Sequence, residues 1–99
     1  MKPLQISEPA SLELAEAVRW YEERRPRWGE RLFDAVSATM ALIESHPEIG
    51  SPRRGRPVAR QFKVRGFPYL VAYRIRPDDV YVVALAHAKR RPGYWRHRS

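Results

Sequence analysis

The sequence predicts an α+β fold in which an antiparallel helix hairpin covers one face of an antiparallel β-sheet. Three observations carry that expectation. Two stretches, residues 7–23 and 26–46, repeat their apolar side chains at three- and four-residue spacing on either side of Arg24-Arg25-Pro26. Later stretches are short, alternating or wholly apolar, and are divided by Gly66 and by Asp78-Asp79. A chain of 99 residues has room for one core, so residues 1–99 are expected to form a single domain.

Residues 2–6 alternate weakly and suit a short first strand. The Ser7 hydroxyl can cap the next helix, and Pro9 is tolerated in a first turn, where its missing N–H would be unpaired anyway. Leu14, Val18 and Tyr21 then mark one face, extended by Ala10 and Ala17, with Glu13, Glu16, Arg19 and Glu23 off it. This helix should end near Glu23, because the residue before Pro26 avoids the α region. The second helix begins near Pro26 and carries Leu32, Val36, Met40 and Ile43 on one face, widened by Trp28 and Phe33, until His46-Pro47.

Ser51 to Pro57 is rich in Pro, Gly and Arg and reads as a loop. Val58, Arg60, Phe62 and Val64 alternate with polar or small residues, as in a half-exposed strand. Gly66 turns the chain into a hairpin of Phe67–Arg74 and Val80–Ala86. A basic and aromatic tail follows His87, running from Lys89 through Tyr94 and Trp95 to Arg96. The order β-α-α-β-β-β leaves the second sheet face open, with the tail as its border.

Charge is segregated along the chain. Residues 1–50 hold six Lys/Arg against nine Asp/Glu, a net −3, whereas residues 51–99 hold thirteen against two, a net +11. The C-terminal half is therefore expected to dock on something acidic. Absence of cysteine excludes disulfides and thiolate metal sites. His46, His87 and His97 lack metal-ligand spacing, and no Gly-rich phosphate loop or nucleophile elbow occurs, so neither metal nor cofactor is expected. No apolar run reaches the ~20 residues of a membrane span, and the start lacks a signal-peptide core, which makes the cytoplasm the expected location.

Lys63 and Arg65 share a face of their strand, as do Arg74 and Arg76 of theirs, and coincidence of these faces would gather four cations on the open side. They could hold phosphates or receive acidic side chains. His87 leaves the last strand among cations, suited to accept or relay a proton, or to serve as a structural hydrogen-bonder. Tyr94-Trp95 after Arg91-Pro92-Gly93 either staples the tail onto the core or offers a stacking surface. Of the helix-hairpin aromatics Trp20, Tyr21 and Trp28, one off the core face would border a groove for a partner helix.

Taken together, Ala10 through Trp20-Tyr21-Glu22-Glu23, Gly29-Glu30-Arg31-Leu32-Phe33, Ile43–Pro47, Phe67-Pro68-Tyr69, Tyr73-Arg74, His87–Pro92 and Tyr94-Trp95 resemble the RelE/ParE superfamily. These are toxins of type II toxin–antitoxin systems, often labelled plasmid stabilisation proteins. The resemblance implies the same helix-on-sheet architecture and a cognate antitoxin with an acidic, disordered C-terminal segment. RelE-like members cut messenger RNA on the ribosome, whereas ParE-like members poison DNA gyrase. The nuclease pattern has two lysines on one strand, where this chain has Gln61 and Lys63, and an arginine after the tyrosine of the next, where it has Leu70. Its terminal arginine and tyrosine would fall to Lys89 or Arg90 and to Tyr94 or Trp95. The set is incomplete, and the ParE-like branch is the better match. Residues expected to bind antitoxin or target are Arg60, Lys63, Arg65, Arg74, Arg76, Arg90, Arg91 and Trp95; an alternative nuclease would use Lys63, Arg74, His87, Arg90 and Tyr94. A nucleic-acid-binding module without toxicity is the third reading.

Overall fold

The computed structural model describes residues 2–55 and 58–98. Its elements are β1 (Leu4–Ile6), α1 (Glu8–Arg24), α2 (Trp28–Ser45), a 3-10 turn (Pro47–Ile49), β2 (Ser51–Arg53), β3 (Ala59–Lys63), β4 (Tyr69–Ile75) and β5 (Val80–His87). The strands form one sheet in the order β1-β5-β4-β3-β2.

The expected architecture holds, with two corrections to the sheet. It is mixed rather than wholly antiparallel: β2 to β5 pair antiparallel, but β1 lies parallel to β5, with Leu4 beside Val80 and Ile6 beside Val82. Parallel pairing needs a long crossover, and the helix pair with the intervening strands supplies one. The stretch expected as a loop contains β2, whose Ser51 and Arg53 pair with Gln61 and Ala59; residues 56 and 57 of that stretch lie outside the described residues. Pro52 fits there because an edge strand can spare one N–H.

Local signals set the helices. Ser7 Oγ accepts from the Ala10 N–H at 3.2 Å, and α1 ends at Arg24, one residue past the expected stop. Arg27 adopts a left-handed φ of 73°, so α2 begins at Trp28 rather than at Pro26. No side chain caps α2 from its own N-terminus. Instead the Glu22 carboxylate of α1 accepts from the N–H groups of Arg27 (3.0 Å) and Gly29 (3.1 Å), satisfying donors that the helix leaves over. A Cβ on Gly29 would stand 2.5 Å from the Val18 carbonyl oxygen, so glycine is what lets the two helices touch here.

Leu32, Val36, Met40 and Ile43 of α2 bury against Val64, Val71, Tyr73, Val80 and Val82 of the sheet. From α1 the buried residues are Ala10 and Ala17, while Leu14 and Val18 are only half-buried. Tyr73 is wholly buried; its hydroxyl donates to the Pro47 carbonyl at 2.6 Å and accepts from the Gly50 N–H at 2.8 Å.

The face opposite the helices is not open, contrary to expectation. Trp95, 3% exposed, folds back over Ala59, Ala72, Val83, Ala84 and Ala86 and makes a second apolar cluster there. The small side chains of β3, β4 and β5 leave a bed into which one indole fits, so burial of the tail wins over its exposure.

Candidate functional site

The tail is fixed at two places. Arg74, 4% exposed, donates from its guanidinium to the carbonyls of Arg96 (2.8 Å) and Arg98, while its Nε has no hydrogen-bond partner among the described residues. Burial pulls its pKa below the ordinary arginine value. Glu13 of α1 is the second anchor. Its Oε2 accepts from the Tyr94 hydroxyl at 2.5 Å, and its Oε1 accepts from Arg98 Nη1 at 3.0 Å and from the Leu85 N–H at 3.1 Å. Arg90 Nη1 stands 3.8 Å from the same carboxylate. Burial, and then the Glu13 carboxylate, push the Tyr94 pKa up to about 12.

Because β1 pairs only with Val80 to Val82, the remainder of β5 presents a bare edge there. Glu13 on the Leu85 N–H, and Arg98 on the Val83 carbonyl (3.1 Å), cover that edge with side chains.

The cations expected to converge are dispersed. Lys63 pairs with Leu70, and Arg74 lies four residues further along β4, which is about 13 Å at strand spacing. Arg74 is beneath the tail and unavailable to a phosphate or a partner. Arg60 turns to the carbonyls of Glu48 (3.0 Å) and Gly50 (2.8 Å). Arg76 pairs with Asp79 at 2.6 Å and lies over the Tyr81 ring; that hydrogen bond raises the arginine pKa and lowers the carboxyl pKa. Lys63, Arg65, Arg90 and Arg91 are exposed, whereas Trp95 is core. His87 Nδ1 accepts from the Lys89 N–H at 3.0 Å, and its ring meets Tyr69 edge-on at 5.1 Å. A neutral ring so held carries its proton on Nε2 and offers a donor rather than a base.

Among the described residues three concavities stand out. A cup of about 110 Å³ opens on the sheet face between the tail and the strands, lined by Arg53, Gln61, Leu70, His87, Arg90 and Arg91, with Trp95 as a wall. Among the described residues no carboxylate lines it. A cleft of about 380 Å³ runs between α1 and β5, bordered by Glu13, Trp20, Tyr69 and Arg90. Trp20 is the helix aromatic that lies off the core, with the Arg24 guanidinium 3.7 Å from its ring centre. An apolar groove of about 540 Å³ lies along the helix hairpin, floored by Leu14, Ala15, Val18 and Phe33. Phe33, expected to widen the core face, is 50% exposed and belongs to this groove, because Leu32 and Val36 already fill the sheet side of α2.

Two residues of the site escape a reading of the sequence. Arg53 sits in a strand too short to show alternation. Glu13 gives no local sign, since its partners lie 72 to 85 residues later. Among the described residues no His, Asp and Glu are grouped to hold a metal ion, and no helix is long and apolar enough to cross a membrane.

Residues 4–92 match the family model described as the ParE toxin of the type II toxin–antitoxin system parDE. Comparison with curated proteins gives no match. Among solved structures the chain is similar to a protein of the chromosomal ParDE TA system from P. aeruginosa, at 13% identity and a TM-score of 0.78, covering 90% of this chain and 98% of that one.

Proposed function

This chain belongs to the ParE toxin family of type II toxin–antitoxin systems, and we propose that it acts in the cytoplasm on DNA gyrase and is silenced by a cognate antitoxin with an acidic C-terminal segment. The observation that carries the gyrase reading is the content of the sheet-face cup. Gln61 and Leu70 line it where the nuclease pattern has a lysine and an arginine. Arg74 is buried under the tail, Tyr94 Oη is engaged by Glu13, and His87 Nδ1 is occupied by Lys89. Loss of one cation placed to stabilise transition-state charge costs about 10²–10³ in rate, so a target met by binding suits this surface better than one met by cleavage.

The antitoxin reading rests on a different pair of features. The groove of Leu14, Val18 and Phe33 fits the apolar face of an amphipathic helix. The net +11 of residues 51–99 calls for carboxylates in the segment that continues from it. An acidic segment that is disordered when free folds as it binds, trading ordering entropy for a long contact.

Purified chain added to a gyrase supercoiling reaction is expected to block supercoiling or trap cleaved DNA, with relief by the antitoxin. No effect on gyrase at stoichiometric excess would overturn the reading. Cuts at the ribosomal A site in primer extension, abolished by Lys63→Ala, would put messenger RNA cleavage in its place.

A further inference from the structure

From the cup on the sheet face we infer that this chain has a phosphodiester site of its own, and that it grips the backbone of the DNA that gyrase holds. This deepens the gyrase reading and rests on it for the identity of the DNA. Four strands and the tail contribute to the site: Arg53 from β2, Gln61 from β3, Leu70 from β4, His87 from the end of β5, and Arg90 and Arg91 beyond it. Its volume of about 110 Å³ equals roughly four waters at ~30 Å³ each. That is room for a phosphate group.

The charges in it are not spent on the fold. Among the described residues neither Arg53 nor Arg91 is in an ion pair, whereas Arg90 is drawn towards Glu13 and Tyr94 on the adjoining ridge. The Arg96 guanidinium packs on Gly93, which also lines the cup; Nη2 stands 2.8 Å from where a Cβ would be. Gly93 holds a left-handed φ of 74°, so the turn that presents these arginines is built for that residue. Gln61 offers a neutral amide donor and Leu70 an apolar floor. Guanidinium groups bind phosphate bidentately, and among the described residues no carboxylate in the lining competes for them. The site therefore holds a phosphodiester without positioning a nucleophile.

The test uses the full chain and a short fluorescent DNA duplex, followed by anisotropy between about 50 and 200 mM salt. An RNA duplex of the same sequence is the second arm. Arg53→Gln/Arg91→Gln is compared with the charge-matched Arg19→Gln/Arg31→Gln on the helix hairpin. Two lost phosphate contacts should reduce the slope of log K against log salt by about 1.8, with an affinity loss of roughly tenfold or more. The helix-hairpin pair should leave both at the wild-type value. Equal losses in the two pairs, or none in the first, would overturn the site, and tighter binding of RNA than of DNA would overturn its assignment to DNA. Cup variants that no longer bind DNA yet still poison gyrase would refute the grip and spare the gyrase reading. A wild-type chain that binds DNA through the cup but leaves gyrase untouched would overturn the gyrase reading and spare the phosphodiester site.

Discussion

Glu13 receives donors from an arginine, a tyrosine and a backbone N–H, and each is on a part of the chain that α1 meets only through the tertiary fold. Glu13→Gln keeps the shape and removes the charge, leaving Arg98 and the Tyr94 hydroxyl with a weaker acceptor. The expected cost is about 1–3 kcal/mol, read from thermal melts, with earlier proteolysis of the tail. Tyr94 supplies an independent readout. Its folded pKa is raised above the unfolded value, so the stability it contributes is intact below about pH 10 and is lost as pH climbs towards about 12. In Glu13→Gln that alkaline loss should become smaller and end at a lower pH, and tyrosinate absorbance should appear earlier. What a residue does was legible in the sequence where its partner is near. Ser7 caps three residues ahead as its identity foretells, but nothing around Arg74 announces that its charge will sit beneath the carbonyls of Arg96 and Arg98.

Helices were readable as elements because their period is internal to the stretch; the same logic fails for pairing. Leu32, Val36, Met40 and Ile43 identified their own face, while β1 offered three residues with no sign of its parallel neighbour. Phe33 was misplaced because periodicity gives an angle around the axis and not what lies beyond it. The helix turn shows how much depends on one small residue. Gly29→Ala would push a methyl into the Val18 carbonyl at 2.5 Å and the Glu22 Cβ at 2.9 Å, and the carbonyl is backbone that cannot swing aside. Alanine's better helix propensity recovers only ~1 kcal/mol, against about 1–3 kcal/mol for overpacking. A net fall in melting temperature is the expected result, together with weaker capping of α2 by Glu22. A gain in stability would mean that the helices part more easily than their contact implies.

For the molecule as a whole, the separation of charge between residues 1–50 and 51–99 survives folding as a basic sheet with its tail against a more acidic helix hairpin. Exposed charges interact over about 8–10 Å at ordinary ionic strength, so encounter with an acidic partner should be steered. Stopped-flow association with an acidic antitoxin segment is expected to slow by tenfold or more from low to high salt, with dissociation changing much less. A salt-independent rate would show that apolar docking alone drives the encounter. The open basic face foreseen from the sequence proved to be shared, with Trp95 covering the alanine bed and a small basic cup left beside it.

The parallel pairing of β1 with β5 has a bearing on synthesis. The first strand waits for a neighbour that is translated only after both helices and β2 to β4, since Leu4 lines up with Val80. A nascent chain halted before that point has a helix hairpin without β5, and only part of the bed for the indole that closes the far side. The sheet is thus completed only once β5 has been made, and a copy interrupted before it leaves β1 without its partner.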